Sequence, residues 1–207
     1  MPTSLGTSIP AGSAPPGPTR RRGPGGYCGG VSTDDRAVAV RPATPADSNA
    51  VAAIWYHGWC DGHLGHVSDD LVAVRTRESF GPRAAARVPD TIVATVDDAV
   101  AGFVMVVADE VEQVYVSADH RGTGVAAVLL AAAERLVEAN GHGRAWLAVV
   151  GGNARARRFY ERNGWTDEGA FDYSATGPAG PIVVRSHRYA KPVLPAKAAI
   201  SRRAPGP

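Results

Sequence analysis

A short apolar strand that runs into a glycine turn and then directly into a helix constrains this chain more than any other feature. The segment begins at Val111 as V-E-Q-V-Y-V-S-A-D-H-R-G-T-G-V-A, and an Ala/Leu-rich run follows. The first turn of a helix leaves backbone N–H groups without partners, with the positive end of the helix dipole behind them. Gly122 and Gly124 lack side chains, so an anion can approach these groups closely. The sequence therefore predicts a binding site for phosphate or pyrophosphate.

Hydrophobic periodicity and turn residues predict one α/β domain over residues 37–190. The pattern indicates strands at 37–41, 91–96, 100–107, 112–116, 144–150, 165–173 and 182–189. It indicates helices at 45–59, 69–80, 124–140 and 153–163. Asp109 and Glu110 are expected in a turn before the fourth strand. The order β-α-α-β-β-β-α-β-α-β-β is typical of a mixed α/β sheet covered by helices.

The two ends of the chain differ in composition from this domain. Residues 1–36 are rich in Pro, Gly, Ser and Thr and lack apolar periodicity, so we expect a disordered tail. Repeated prolines predict a flexible tail at 191–207. The basic triplet Arg20–Arg22 could touch nucleic acid or an acidic partner, but a solvated tail is the expectation. Translation could also start downstream of this triplet.

Composition narrows the classes of protein to which the chain can belong. The net charge of +2 gives the domain no strong attraction to polyanions. No run approaches the roughly 18 apolar residues of a membrane helix, so we expect no membrane association and a cytoplasmic protein. Cys28 and Cys60 form no disulfide framework, and neither a disulfide nor a metal site is expected from them.

Residues downstream of the glycine turn strengthen its interpretation. The turn R-G-T-G-V-A, residues 121–126, is followed by a second strand and then by Asn153 and Tyr160 in the next helix. Together these residues resemble the GNAT superfamily of N-acetyltransferases, whose signature is [Q/R]-x-x-G-x-[G/A] after the fourth strand. The resemblance is close from 111 to 169, and the element order extends it over residues 37–190.

The resemblance implies acetyl-CoA as the co-substrate. It also implies the GNAT fold, a mixed and mostly antiparallel sheet of six to seven strands with helices on both faces. In the family the fourth strand is splayed from the next one, and its backbone, here that of Val114, Tyr115 and Val116, runs beside the pantetheine arm. The pyrophosphate-binding N–H groups would be those of Gly122, Thr123, Gly124, Val125, Ala126 and Ala127. Arg121 could add charge or pack over the turn.

Two residues match family positions with assigned roles. Asn153 matches the Asn that hydrogen-bonds the cofactor arm, although its position also suits an ordinary helix N-cap. Tyr160 matches the Tyr that protonates the departing CoA thiolate. Without the resemblance, Tyr160 would be interpreted as a core aromatic beside Phe159. Arg155, Arg157 and Arg158 could meet the 3′-phosphate of CoA or form a solvated basic face.

The general base is open at this stage. Glu112 lies on the strand leading into the turn, where some family members place a catalytic Glu, but a plain surface position also fits. Members that acetylate protein N-termini carry a Glu on the following strand. The corresponding residues here, 147–149, include no carboxylate, which argues against that subclass. His57 and His63 are the next candidates.

The acceptor pocket is expected between the first two helices. Aromatic and polar residues crowd that region: Trp55, Tyr56, His57, Trp59, Asp61, His63 and His66. Their spacing fits no standard metal site. A small amine, an antibiotic, an amino acid or a protein lysine could be the acceptor. A non-catalytic acetyl-CoA-binding sensor domain is the alternative function, and a homodimer is left open.

Overall fold

The computed structural model describes residues 37–193, which form a seven-stranded sheet with five α-helices. The strands are β1 (Ala39–Pro42), β2 (Thr91–Val96), β3 (Ala99–Val107), β4 (Glu110–Val116), β5 (Arg144–Val150), β6 (Thr166–Gly177) and β7 (Gly180–Pro192). The helices are α1 (Ser48–His63), α2 (Asp69–Val74), α3 (Phe80–Ala86), α4 (Val125–Ala139) and α5 (Ala154–Arg162).

The sheet order is β1-β2-β3-β4-β5-β7-β6. All neighbouring strands pair antiparallel except β4 and β5, which are parallel. The apolar helix α4 connects these two strands, because parallel neighbours need a long crossover. The mixed, mostly antiparallel sheet expected from the sequence is thus confirmed.

Helices cover both faces of the sheet. Adjacent residues of β3 show this, since successive side chains of a strand point to opposite faces. Val104 packs in a core cluster with Leu129 of α4, whereas Phe103 packs in a second cluster with Trp55 of α1 and Phe80 of α3. All of these side chains are buried, so each face has its own hydrophobic core.

The helices before β2 differ from the sequence prediction. α1 continues to His63, beyond the end expected at residue 59. The helix expected at 69–80 ends already at Val74 as α2, because the chain leaves helical geometry at Arg75 and Thr76, and the separate helix α3 begins only at Phe80. Thr76 is extended, with φ −66° and ψ 158°, a conformation that suits a β-branched residue at a helix start.

The boundaries of β4 and β7 also differ from expectation. β4 begins at Glu110, so this residue belongs to the strand and the tight turn before it is Ala108–Asp109. β7 runs past the domain boundary expected at 190, and the Val193 N–H donates to the Gly143 carbonyl at 3.0 Å. Hydrogen bonds to neighbouring strands hold the start of β4 and the end of β7, and local composition does not reveal these bonds.

The remaining expectations for the chain ends fall on residues 1–36 and 194–207, outside the described residues. These include the disordered tail, the Arg20–Arg22 triplet and any pairing of Cys28. Within residues 37–193, Cys60 is a free, half-buried thiol, and no group of His, Cys, Asp and Glu could hold a metal ion. No helix in this range is long and apolar enough to span a bilayer.

Candidate functional site

A cleft opens between β4 and β5. The two strands pair only at Glu110 and Trp146, where the Trp146 N–H donates to the Asp109 carbonyl at 3.0 Å. β5 pairs along its whole length with β7 on its other side. Because the parallel strands share only this contact near their starts, they separate toward their carboxyl ends. The glycine turn and Asn153 follow those ends, so both lie at the mouth of the cleft.

The strand β4 contains a bulge at Glu112. Val111 and Gln113 pair with consecutive residues of β3, which leaves Glu112 without a partner in the ladder. A bulge of this kind re-aims side chains beside a site. The Glu112 carboxylate accepts a hydrogen bond from the Arg87 guanidinium at 2.7 Å and is half-buried.

Backbone groups of β4 beyond the bulge face the cleft. The Ser117 N–H donates to the Ala101 carbonyl at 2.8 Å, which marks these two residues as a hydrogen-bonded pair. Antiparallel pairs alternate between bonded and non-bonded, so Val116 and Val114 turn their N–H and C=O groups away from β3. Tyr115, between them, turns its N–H and C=O groups toward β3. Of the three residues expected to line the cofactor arm by backbone, Tyr115 therefore reaches the cleft only through its side chain.

The glycine turn has the conformation that glycine alone adopts readily. Gly122 has φ +83° and Gly124 has φ +90°, and a Cβ at either position would meet no atom within 4 Å. The left-handed backbone, rather than crowding, therefore favours glycine here. Gly124 also serves as the N-cap of α4.

Four N–H groups of this turn have no hydrogen-bond acceptor among residues 37–193. They belong to Gly122, Gly124, Val125 and Ala126. The other two expected groups are engaged: the Ala127 N–H donates to the Gly124 carbonyl at 3.0 Å, and the Thr123 N–H contacts the His120 carbonyl at 3.5 Å. Free N–H groups at the start of a fifteen-residue helix form a site suited to an anion.

A cavity of about 360 Å³ lies beside the turn, and we call it the turn cavity. Its lining comes from the turn, from β4 residues 114–116 and from the α5 side chains Ala156, Phe159 and Tyr160. Arg121 lines it as well, with its guanidinium 2.5 Å from the Asp61 carboxylate of α1. Arg121 thus ties the turn to α1, which favours the packing role over a free charge.

A second cavity, of about 280 Å³, lies on the α1 side, and we call it the arginine cavity. Trp55, Trp59 and His63 of α1 line it, together with Glu112 and the β6 segment 173–176. Three guanidinium groups complete the lining: Arg75, Arg83 and Arg87. These arginines were not predicted from the sequence; the one signal for them is the spacing of four residues between Arg83 and Arg87, which places them on one helix face.

The two cavities meet in the cleft between β4 and β5. Five residues line both of them: Val114, Tyr115, Asn153, Ala156 and Tyr160. A molecule in the turn cavity and a molecule in the arginine cavity would therefore touch each other beside these residues. This arrangement can bring two substrates together without an intermediate carrier.

Tyr160 lies at this junction on α5. Its side chain is buried, and its hydroxyl makes no hydrogen bond to another residue of the described chain. Burial raises the pKa of the Tyr160 phenol well above its usual value, so the hydroxyl is protonated at neutral pH. A protonated, unengaged hydroxyl beside both cavities can donate a proton or a hydrogen bond to a bound molecule.

Asn153 caps α5 and lines both cavities. Its Oδ1 accepts a hydrogen bond from the Ala156 N–H at 3.0 Å, which is the N-cap interaction expected from the sequence. Its Nδ2 faces α1, because a Cβ on Gly62 would lie 2.9 Å from it. The amide is thus held by the helix while it remains beside the cleft.

The histidines and the basic residues of α5 fall in different places. His63 stacks on Trp59 with its Nδ1 3.0 Å from the Trp59 carbonyl, and burial lowers its pKa to about 4. His57 and His66 line neither cavity. Arg155 lines the turn cavity, whereas Arg157 pairs with Asp167 at 3.0 Å. Among the expected bases, Glu112 and His63 therefore remain beside the arginine cavity.

Comparison with known proteins agrees with this geometry. Residues 68–165 match the model of the acetyltransferase (GNAT) family. The chain is similar to the crystal structure of a GCN5-related N-acetyltransferase from Rhodopseudomonas palustris, with 22% identity, a TM-score of 0.58 and coverage of 74% of this chain and 94% of that one. No curated protein matches the sequence.

Two further similar structures were solved with ligands. The PaiA N-acetyltransferase of Thermoplasma acidophilum, in complex with coenzyme A, shares 16% identity with a TM-score of 0.54, covering 75% of this chain and 99% of that one. YncA of Salmonella typhimurium, with its cofactor acetyl-CoA, shares 19% identity with a TM-score of 0.57, covering 77% and 95%. At these identities the similarity shows a common fold.

Proposed function

Because residues 68–165 match the model of the acetyltransferase (GNAT) family, we propose that this chain transfers an acetyl group from acetyl-CoA to an amine in a ternary complex. The observation that carries this proposal is the meeting of two cavities at Tyr160, inside the split between β4 and β5. One cavity adjoins free N–H groups suited to a pyrophosphate, and the other is large enough for a small acceptor.

The residues of the turn cavity suit acetyl-CoA. The free N–H groups of Gly122, Gly124, Val125 and Ala126 would bind the pyrophosphate, since no Cβ at either glycine blocks the approach. The cleft-facing backbone groups of β4 and the amide of Asn153 would hydrogen-bond the extended arm. Acetyl-CoA supplies the acyl group as a thioester, the activated bond that the acceptor amine breaks.

Residues at the junction supply the proton transfers of the reaction. The amine nitrogen forms a bond to the acetyl carbonyl carbon, and the N–H of Val116 donates to the oxygen on which negative charge develops. As the carbon–sulfur bond breaks, Tyr160 gives its proton to the thiolate. Glu112 accepts the proton that the amine loses, directly or through water, and Arg87 holds its carboxylate in place.

The proposed function is tested with acetyl-CoA and the full-length chain. Titration calorimetry measures the affinity for acetyl-CoA, and release of free thiol measures turnover over a panel of amines, amino acids and lysine peptides. We expect saturable binding and turnover on one acceptor class. Glu112→Gln should then lower turnover without changing acetyl-CoA affinity. An unchanged rate would make His63 the next candidate for the base. Binding without any turnover would favour the sensor function, and no binding would contradict both.

A further inference from the structure

The charges that line the arginine cavity are unbalanced. Three guanidinium groups line it, and Glu112 is the one carboxylate among the lining residues. That carboxylate is engaged by Arg87 at 2.7 Å, and Arg87 also donates to Asp90 at 2.8 Å. Arg87 is thus neutralised by acidic neighbours. Arg75 and Arg83 have no acidic partner of this kind among residues 37–193.

Arg75 is held beside the cavity without a counter-ion among residues 37–193. Its Nη2 donates to the Thr176 carbonyl at 2.9 Å, while its Nη1 is buried with no hydrogen-bond partner in the described chain. Burial, together with a smaller effect of repulsion from Arg83, lowers the pKa of Arg75 to about 10. The Nη2 nitrogen of the guanidinium is therefore fixed by β6, whereas Nη1 has no hydrogen-bond partner in the described chain.

Arg83 is in a similar state. Burial lowers its pKa, and it forms no ion pair with any residue from 37 to 193. A desolvated cation without a partner costs free energy, and two cations that repel each other cost more. A bound anion would offset this cost, because a guanidinium donates charge-assisted hydrogen bonds to carboxylate oxygens.

We propose that the acceptor is a small amine that carries a carboxylate, of the amino acid class, and that Arg75 and Arg83 bind this carboxylate. The inference rests on the proposed function, since it names the acceptor of the same site. The cavity has a volume of about 280 Å³, which suits a molecule of this size. Trp55 and Trp59 provide an apolar wall for its side chain.

The positions of Arg75 and Arg83 also set the orientation of the bound acceptor in the cavity. The arginines lie in the part of the cavity formed by α2, α3 and β6, whereas Tyr160 and Val114 are shared with the turn cavity. A carboxylate on Arg75 and Arg83 leaves the amine of the same molecule free to face the junction. Glu112, the proposed base, lines the same cavity. An amine without a carboxylate would leave both guanidinium groups without an anionic partner.

The test compares acceptors that share the amine and the side chain and differ in the carboxylate. Turnover of the full-length chain is measured by thiol release at saturating acetyl-CoA, with each amino acid beside its carboxamide and its decarboxylated amine. We expect kcat/KM for the best amino acid to exceed that of the two acceptors without a carboxylate by at least about 10-fold, because they cannot accept the charge-assisted hydrogen bonds of Arg75 and Arg83. An aminophosphonate of the same side chain is the fourth member of each set.

Two variants test whether Arg75 and Arg83 cause the preference for an acceptor with a carboxylate. Arg75→Gln and Arg83→Gln should each raise KM for the amino acid about 10-fold or more, with kcat within about 3-fold, and leave the carboxamide kinetics within about 2-fold. Arg83→Gln serves alone if loss of the Thr176 contact unfolds Arg75→Gln. Arg135→Gln is the matched control, because Arg135 is exposed on α4 and lines neither cavity.

Failure of this inference is distinct from failure of the proposed function. Equal turnover of the acceptors without a carboxylate, variants that affect both acceptors alike, or a clear preference for the phosphonate would overturn the inference and leave acetyl transfer standing. If no amine is acetylated, calorimetry of the same acceptors into protein saturated with CoA decides the matter. Binding of amino acids that Arg75→Gln weakens would support the carboxylate site, and no such binding would overturn it.

Discussion

Tyr160 is the single residue on which the proposed chemistry depends most. Its phenol is buried at the junction of the two cavities, and burial raises its pKa, so it holds a proton until a stronger base forms beside it. Tyr160→Phe removes one oxygen and no hydrogen bond within the described chain. We expect kcat to fall by roughly 100-fold, the scale of a lost general acid, with acetyl-CoA affinity nearly unchanged.

A neighbouring tyrosine provides the control for this prediction. The Tyr189 ring centre lies 6.0 Å from that of Tyr160, but its hydroxyl donates to Glu161 at 2.9 Å and lines neither cavity. Tyr189→Phe should retain turnover and lose about 1 kcal/mol of unfolding free energy. Full activity of Tyr160→Phe at every pH would rule out the acid role.

Glu110 makes the stability of the fold depend on pH. Burial raises the pKa of its carboxyl to about 7, with a smaller opposing effect from Tyr173, and its Oε1 is buried without a partner. The folded state therefore keeps this proton while the unfolded state releases it, and the free energy of unfolding falls as the pH rises from about 4.5 to 7.

Glu110→Gln should remove that dependence. At pH 8 we expect the variant to be more stable than the parent by about 1–2 kcal/mol after allowance for solvent screening, and at pH 4 to be equal to it. Urea unfolding at both pH values measures the difference. Glu138→Gln, at an exposed position of α4, is the control and should show no such change. An equal gain at pH 4 would mean that packing, not titration, is responsible.

At the scale of elements, α4 has a left-handed glycine at each end. Gly124 precedes its first residue with φ +90°, and Gly141 follows its last turn with φ +86°. A Cβ at either glycine would meet no atom within 4 Å, so alanine at each end costs a similar backbone strain, about 1 kcal/mol. Only Gly124 lines the turn cavity. Comparing alanine variants at Gly124 and Gly141 therefore separates an effect on helix stability from an effect on ligand binding.

Gly124→Ala should weaken the binding of acetyl-CoA, because the new methyl group stands where a phosphate oxygen approaches the N–H groups. We expect at least about a 10-fold loss of affinity by calorimetry, beyond the effect of Gly141→Ala, which should bind normally. Acetyl-pantetheine lacks the pyrophosphate and should bind both variants equally. A parallel loss for acetyl-pantetheine would place the effect outside the pyrophosphate site.

At the scale of the whole molecule, the joined cavities favour direct transfer between two bound substrates. Neither cavity is lined by a cysteine of the described chain, and Cys60 lies outside both. Initial rates at varied concentrations of both substrates should give intersecting double-reciprocal lines, and Cys60→Ser should keep them unchanged. Parallel lines would indicate a covalent acetyl-enzyme and contradict the ternary complex.

Much of the architecture could be predicted because its causes are local. The strands β2 and β5 and the helix α4 were predicted within one residue of their ends, since apolar periodicity and glycine stops act over a few residues. The end of α2 at Val74 was not predicted; the side chain of Arg75, which follows it, donates to the Thr176 carbonyl 101 residues away, a contact that local sequence does not reveal. The bulge at Glu112 was missed because register depends on β3 as well as on β4.

The sequence by itself determined the glycine turn, the helix behind it and the positions of Asn153 and Tyr160, because capping and left-handed φ values are properties of short segments. The roles of these residues stay predictions until activity is measured. Only the tertiary structure decided which residues share a cavity. Arg75, Arg83 and Arg87 meet Glu112 because α2, α3, β4 and β6 pack together, and the burial that leaves two of these cations unpaired exists only in the folded chain.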